Sequence, residues 1–292
     1  MLQAISPKHD AHHERRRKNS LASLTTSLRD NKKHLLLAAS GSVATIKLPL
    51  IIKALAEQHS SGNNSQELSI RVLLTPSATR FLAGQSREQP PVSSLLSMPC
   101  VDGVYVDADE WREPWKRGDA ILHIELRRWA DLLVIAPLSA NTMAKIVGGF
   151  ADGILTSVVR AWDAWGELDS DIEAPGGLNG SKGRRQKKHI IVAPAMNTAM
   201  WRHPVTAKSL RVLEEEWGVN RSSKKAAQPV TDDEGQAGEP RSQDAETEDA
   251  GGWFEVLKPQ SKTLACGDVG DGAMMDWKDI VTVIEERLGL NN

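Results

Sequence analysis

The sequence predicts an α/β fold in which a doubly wound parallel sheet carries helices on both faces. Four nearly continuous apolar runs are typical of strands that are buried on both sides, and they lie at 34–39, 70–75, 132–136 and 189–193. Amphipathic segments separate these runs. Because parallel neighbours need a crossover connection, usually a helix, this alternation predicts a parallel sheet.

Each predicted helix follows from the spacing of its apolar residues. Helix Ala44–Gln58 follows the first strand, and Pro49 inside it predicts a kink or a late start, because proline has no N–H to donate. Helix Ile121–Trp129 precedes the third of these strands and Asn141–Trp162 follows it. The last segment of this kind, Pro204–Trp217, follows the fourth strand.

Polar segments divide the chain into one domain and its extensions. Residues 1–31 contain a basic cluster and no sustained apolar period, which predicts a disordered N-terminal arm. Residues 166–187 and 220–252 are predicted to be disordered insertions, and within the second, Thr231–Ala250 holds eight acidic residues and one arginine. The sequence therefore predicts a single domain over residues 32–292 that carries two insertions.

Composition excludes several classes of protein. The chain has 36 Lys+Arg against 38 Asp+Glu and a formal charge of −2, which gives no basic field for nucleic acid or an anionic membrane. Two cysteines, Cys100 and Cys266, exclude a disulfide framework and a cysteine metal cluster. No apolar run approaches the roughly 20 residues that span a bilayer, so we expect a cytoplasmic protein.

Small polar residues follow three of the predicted strands, at 40–43, 75–79 and 137–142. Ligands of open α/β sheets collect at the carboxyl ends of the strands, where such residues can hold a phosphate and the polar edge of a ring. The first turn lacks the full G-x-G-x-x-G spacing, which favours a mononucleotide over a dinucleotide. For any single turn, helix capping is the more common explanation, but three such turns together favour a ligand.

The segment Pro194–Trp201 follows the fourth strand and has two interpretations. Asn197 is suited to hold a carboxylate through its amide while a methionine packs on a flat ring. Alternatively, Asn197 caps a short helix and Met200 belongs to the core, as is common for an isolated motif.

Two further segments carry reactive side chains. On a helix, His123 and Arg127 share one face at i,i+4, although a single histidine of this kind is more often structural than catalytic. Cys266 lies in the glycine- and aspartate-rich segment Leu264–Met274, where it is a candidate nucleophile, redox group or proton donor. Because nearby aspartates raise the pKa of a thiol, the segment favours a protonated thiol that acts as an acid.

Four blocks, taken in order, resemble the homo-oligomeric flavin-containing cysteine decarboxylase family, in particular its eukaryotic phosphopantothenoylcysteine decarboxylases of the halotolerance-protein type. These blocks are Leu122–Asp131, Ala136–Thr142, Pro194–Trp201 and Leu264–Met274. The resemblance implies a flavodoxin-like domain that binds FMN and assembles as a homotrimer with active sites at subunit interfaces.

The resemblance also assigns roles to individual residues. It implies that the phosphate end of FMN is held by Gly41, Ser42, Val43, Thr75 and Ser77, and that the flavin is bordered by Ser139, Ala140, Asn141, Thr142 and Ala195. The resemblance further implies that His123 and Cys266 are catalytic and that the substrate is bound by Asn197, Thr263, Ala265 and Met274. Two positions depart from the family pattern: Pro76 replaces the usual lysine, and Thr263 replaces a basic residue.

The activity that the resemblance implies is the conversion of 4′-phosphopantothenoyl-L-cysteine to 4′-phosphopantetheine in coenzyme A biosynthesis. In that reaction FMN oxidises the cysteinyl thiol to a thioaldehyde, CO2 is lost, and the enethiolate is reduced and protonated. An alternative is an inhibitory subunit of a protein phosphatase, which some fungal relatives form. Because the histidine, asparagine and cysteine lie in one chain, the sequence favours the enzyme. The Ala-Cys-Gly-Asp segment likewise argues against a peptidyl-cysteine decarboxylase and a prenyl-flavin synthase. An electron-transfer flavodoxin would not need Asn197 and Cys266 on separate loops that face a ligand.

Overall fold

A computed structural model of the chain describes residues 19–59, 67–168, 187–219, 251–263 and 269–290. Within them, six parallel strands form one sheet in the order β3-β2-β1-β4-β5-β6. The strands are β1 (Lys33–Ala39), β2 (Leu68–Leu74), β3 (Val101–Val106), β4 (Leu132–Leu138), β5 (His189–Pro194) and β6 (Phe254–Val256). The predicted doubly wound parallel sheet is confirmed.

The strand order explains how the fold relates to flavodoxin. Without the edge strand β3, the remaining five strands follow the order 2-1-3-4-5, which is the flavodoxin-like arrangement. With the edge strand β3, which the sequence analysis missed, the full order is 3-2-1-4-5-6, the other common doubly wound arrangement. The order in which strands are added to the sheet reverses between β1 and β4, so the topological switch point lies between these two parallel strands.

Helices cover both faces of the sheet. They are α1 (Leu21–Ser27), α2 (Leu48–His59), α3 (Pro76–Thr79), α4 (Val92–Leu95), α5 (Leu122–Trp129), α6 (Ala140–Val147), α7 (Ile154–Arg160), α8 (Thr198–Trp201), α9 (Pro204–Arg211) and α10 (Trp277–Leu288). Successive residues of β1 point to opposite faces: Leu35 and Leu37 pack in the core with α2 and α10, while Leu36 packs in the core with α5, α6 and α7.

Local chemistry sets where the predicted helices begin and end. The helix predicted from Ala44 begins with a 3₁₀ turn, and α2 itself starts at Leu48, so that Pro49 lies in its first turn, where no intrahelical partner for an N–H exists. The late start is confirmed. The long helix predicted over residues 141–162 is wrong, because Gly148 and Gly149 separate α6 from α7 and Gly149 has φ +73°.

The N-terminal prediction requires a correction, since residues 19–31 are part of the described fold. Helix α1 buries Leu24 completely, and the backbone N–H of Val104 in β3 donates to Asn19 Oδ1 at 3.0 Å. α1 is too short to show a sustained apolar period, which is why the pattern missed it. Residues 1–18 and most of the two predicted insertions, 169–186 and 220–250, lie outside the described residues.

A short antiparallel hairpin follows the sheet, with strands β7 (Gln260–Thr263) and β8 (Val269–Ala273). No helix in the part of the chain that the structure describes has both the length and the apolar character needed to cross a membrane.

Candidate functional site

Four polar turns meet at one edge of the sheet, because the strands that precede them are parallel neighbours in the order β2-β1-β4-β5. The turns begin after the strands at 40–43, 75–77, 139–142 and 195–197. Since the sheet reverses its winding between β1 and β4, these turns border the crevice in which open α/β sheets bind ligands. We call this region the switch-point crevice.

Ser40 joins the two sides of the switch-point crevice. Its side chain is fully buried, its backbone N–H and its Oγ each donate to the Pro137 carbonyl at 3.0 Å, and its Oγ accepts from the Ser139 N–H at 2.7 Å. The floor of the crevice is therefore fixed by hydrogen bonds between β1 and β4.

Gly41 and Ser77 bring the turns after β1 and β2 into contact. A Cβ placed on Gly41 would lie 2.4 Å from Ser77 Oγ, so only glycine allows this approach. The hydroxyls of Ser42 and Thr75 accept backbone N–H groups at 3.3 Å, and Thr75 Oγ1 is 3.2 Å from Ser77 Oγ. The structure thus brings together the residues predicted for the phosphate end, and Val43 beside them is 46% exposed.

The position of Pro76 explains its departure from the family pattern. It is the first residue of α3, where the fixed φ of proline is favourable and no N–H is required. The turn therefore presents hydroxyl groups in place of a lysine cation.

The turn after β4 combines capping with an open outer surface. Ser139 Oγ accepts from the Thr142 N–H at 3.3 Å, so capping of α6 is confirmed for this serine. Ser139 and Thr142 are buried, whereas Asn141 is exposed toward solvent and Ala140 is half-buried. Ala195 is buried and donates its N–H to the Leu138 carbonyl at 2.9 Å, which ties the β5 turn to β4.

Asn197 caps α8 with its side-chain oxygen, which leaves its side-chain NH2 group for another partner. Its Oδ1 accepts from the Met200 N–H at 2.8 Å, at the start of α8, which confirms the capping interpretation. The side chain is exposed, and its amide NH2 group remains a donor suited to a carboxylate. The expectation that Met200 belongs to the core is wrong, because this side chain is 52% exposed; Met196 is the buried methionine.

The β7–β8 hairpin is docked on the Asn197 turn. The Met196 N–H donates to the Gly272 carbonyl at 3.0 Å, and Arg202 forms an ion pair with Asp271 at 3.3 Å. A Cβ on Gly270 would lie 2.2 Å from Thr198 Oγ1, so glycine permits the close packing of β8 on α8.

This hairpin carries two of the predicted substrate residues to the site and flanks the others. Thr263 lies at the end of β7, where it pairs with Val269, and Met274 directly follows β8 and is half-buried. Ala265 and Cys266 lie outside the described residues, between these two strands.

His123 lies in the first turn of α5 and contacts a carboxylate that the sequence analysis missed. Its Nδ1 is 2.7 Å from Glu110 Oε1, and the two side chains are 21% and 6% exposed. Glu110 follows a 3₁₀ turn, Asp107–Asp109, directly after β3. Because β3 itself was not predicted, nothing in the sequence pattern connected this glutamate with the histidine.

The same turn holds a second partly buried carboxylate. Burial raises the pKa of Asp107, against the opposing effect of the hydrogen bond that its Oδ1 accepts from the Ile154 N–H at 3.2 Å. This contact attaches the turn to the start of α7.

Within one chain the structure does not bring His123 and Asn197 together. His123 is tied to the turn after β3, whereas Asn197 follows β5, and three strands lie between. With strands spaced about 4.8 Å apart, these two turns are roughly 19 Å apart. A single cysteinyl group is much too small to contact both.

Comparisons with known proteins place these features in context. The family model described as Flavoprotein matches residues 23–289. The phosphopantothenoylcysteine decarboxylase of Arabidopsis thaliana is 36% identical over 245 residues, which cover 84% of this chain and 80% of the relative. A probable thymidylate synthase of Schizosaccharomyces pombe is 35% identical over 90% of this chain, but the match spans only 30% of that relative.

Solved structures show the same likeness. A PPC decarboxylase mutant complexed with pantothenoylaminoethenethiol has a TM-score of 0.56 and 33% identity, with 87% of this chain and 97% of that chain covered. The FMN binding protein AtHal3 has a TM-score of 0.55 and 34% identity, with 87% and 96% covered.

Proposed function

The chain belongs to the flavoprotein family, and from this membership we propose that it catalyses the FMN-dependent decarboxylation of 4′-phosphopantothenoyl-L-cysteine to 4′-phosphopantetheine in coenzyme A biosynthesis. The observation that carries this proposal is the docking of the β7–β8 hairpin on the Asn197 turn, beside the switch-point crevice. A carboxylate holder and the strands that flank Cys266 thereby adjoin a site suited to a flavin nucleotide.

The residues of the crevice fit FMN. Gly41 leaves no side chain between the turns after β1 and β2, and the hydroxyls of Ser42, Thr75 and Ser77 lie at that junction, as a phosphate group requires. The turns at 139–142 and Ala195 border the neighbouring part of the crevice, where the ring would lie. When bound, FMN supplies an oxidant for the substrate thiol and later a reductant, so the overall reaction has no net redox change.

The chain's own residues then divide the remaining work. The Asn197 amide donates hydrogen bonds to the substrate carboxylate and orients the C–C bond that breaks. His123 accepts the proton of the substrate thiol. Once the carbon that bears the thiol is oxidised to a thioaldehyde, the thiocarbonyl takes the electron pair as CO2 departs. Reduction of the resulting enethiolate needs a hydride equivalent, which bound FMN would supply in its reduced form, and a proton, which Cys266 donates.

We further propose that the enzyme is a homotrimer in which each active site combines His123 of one chain with Asn197 of its neighbour. The separation of these residues within one chain, by three strands, supports this arrangement. Co-expression of His123→Asn and Asn197→Asp chains tests it. Random 1:1 assembly should restore about a quarter of wild-type activity, because half of the chains supply an intact histidine and half an intact asparagine. Sites built within single chains would give no recovery.

Mass spectrometry of products tests the activity itself. The purified protein, supplied with FMN and synthetic 4′-phosphopantothenoylcysteine, should form 4′-phosphopantetheine. The Cys266→Ser variant should instead accumulate an oxidised, decarboxylated intermediate, because the final proton donor is missing. Absence of CO2 loss from a flavin-loaded protein would refute the enzyme proposal for this chain alone and would indicate a missing partner subunit or a regulatory function.

A further inference from the structure

We propose that Glu110 is a positioning residue for His123. In this proposal the glutamate accepts a hydrogen bond from Nδ1–H, which fixes one tautomer and leaves Nε2 unprotonated toward the substrate thiol. The catalytic consequence rests on the proposed function, whereas the tautomer is a property of the protein itself.

The contact between Glu110 and His123 is a short and mostly buried carboxylate–imidazole hydrogen bond. Oε1 of Glu110 is 2.7 Å from Nδ1, and the glutamate side chain is only 6% exposed. Its other oxygen, Oε2, is buried without a hydrogen-bond partner among the described residues. Because a carboxylate removed from water needs donors, the imidazole N–H is the group that compensates it.

Hydrogen bonds within the turn hold Glu110 in this place. Asp109 Oδ2 accepts from the Val106 N–H at 2.9 Å, and the Glu110 N–H donates to the Asp107 carbonyl at 3.2 Å. Asp107 in turn contacts the start of α7, where a Cβ on Gly153 would lie 2.8 Å from its Oδ2. The glutamate therefore sits on a braced turn and not on a free loop.

This geometry supports a defined proton transfer. The thiol S–H bond breaks, an N–H bond forms at Nε2, and Nδ1 keeps its own proton. The resulting imidazolium is positive, and the adjacent carboxylate stabilises it. A carboxylate that orients a catalytic histidine in this way selects the tautomer and stabilises the charged form without taking the proton.

Solid-state ¹⁵N NMR of the full-length, FMN-loaded protein with ¹⁵N-labelled histidine tests the tautomer. The signals of residue 123 are assigned by their loss in His123→Asn. The wild type should show a protonated Nδ1 and a bare Nε2 in the neutral ring, and Glu110→Ala should shift the ring toward the Nε2–H form. A wild-type tautomer in Glu110→Ala would overturn the proposal, even if the wild type proved to have no decarboxylase activity.

Steady-state kinetics test the catalytic consequence. Glu110→Ala should lower kcat by about ten- to a hundredfold, as loss of an orienting partner typically does, and should change KM less than about twofold. Glu110→Asp should retain part of the kcat that Glu110→Ala loses. Glu113→Ala removes an exposed carboxylate on the same segment and should leave kcat and KM unchanged. Normal FMN binding and thermal melting establish that the variants fold. An unchanged kcat in such a folded Glu110→Ala protein would refute the role.

Discussion

Substitution of Gly41 by alanine should separate two turns of the switch-point crevice. The new Cβ would lie 2.4 Å from Ser77 Oγ and 2.6 Å from Ser77 Cβ. Carbon atoms pack at about 3.5 to 4.0 Å, so the turns after β1 and β2 must move apart by about 1 Å. Rotation of the serine hydroxyl relieves only the first contact, because the backbone fixes the position of Cβ.

A displacement of this size should weaken the hold on the phosphate end of FMN. Misplacement of a contacting group by 1 Å can lower a reaction rate about a hundredfold. By analogy, we expect the Kd for FMN to rise ten- to a hundredfold, which corresponds to about 1.4 to 2.8 kcal/mol of binding free energy. Riboflavin, which lacks the phosphate, should lose less affinity. Titration of flavin-stripped protein with each ligand, followed by flavin fluorescence, measures both constants.

A matched background separates the steric effect from other causes. In Ser77→Gly the nearest remaining atom is the backbone carbon of residue 77, at 3.7 Å from a Cβ on Gly41, which is an ordinary contact. The Gly41→Ala change should therefore have almost no effect in that background. An unchanged FMN affinity in Gly41→Ala alone, or an equal loss in both backgrounds, would refute the reasoning.

Three further predictions follow from other contacts. Asn197→Asp keeps the oxygen that caps α8 but replaces the amide donor by a repelling oxygen, so kcat/KM should fall about a hundredfold with unchanged melting, and normal kinetics would contradict this. Burial opposes ionisation of Asp163, but backbone N–H groups of the following loop, among them those of Gly166, Glu167 and Leu168, outweigh it and lower its pKa. A folded-state pKa below the unfolded value stabilises the protein above the unfolded pKa, and this stability is lost as pH falls through the folded value. Urea unfolding should therefore show Asp163→Asn less stable than the wild type by about 1 to 3 kcal/mol at pH 7, and this difference should shrink below about pH 4. A difference that stays constant with pH would contradict the prediction. Glu285→Ala should cost about 1 to 3 kcal/mol because it leaves the buried His59 ring without its hydrogen-bond partner at 3.0 Å, whereas the exposed neighbour Glu286→Ala should change stability by less than about 0.5 kcal/mol.

The sequence predicted the strands whose two faces are both buried, because their apolar character is continuous. It missed β3, since this strand contains Asp102 and Gly103 in place of an apolar run. The structure gives the reason for the glycine: a Cβ there would lie 2.8 Å from the ring of Tyr105 and 3.0 Å from Arg71. β6 was missed because three residues are too few to form a pattern.

The residues of the candidate site also fall into those that the sequence predicted and those that it missed. Turns that directly follow predicted strands, such as those at Ser139 and Asn197, were found because strand ends are where an α/β sheet places ligands. Glu110 was not found, since its meeting with His123 depends on an unpredicted strand and on a contact between residues 13 positions apart. Spacing along a chain identifies residues on one element, but it does not identify partners that two elements bring together.

The turn that orients His123, the proposed general base, and the crevice that would hold the cofactor depend on different strands of the sheet. The centre of the switch-point crevice lies between β1 and β4 in the middle of the sheet, where Ser40 joins the two strands. Glu110, by contrast, depends on β3, which pairs only with β2 in the described sheet. Asn19 bonds the Val104 N–H, in the manner of a neighbouring strand, and so protects the open edge of β3. Local opening is easiest at such an edge, so loss of the Asn19 contact should loosen the Glu110 turn more than the turns after β1 and β4. Helix α1 also braces β2, because Arg71 of that strand donates hydrogen bonds to the Ser23 and Ser27 hydroxyls at 3.2 and 3.3 Å. The N-terminal segment thereby supports the edge of the sheet on which the orientation of His123 depends.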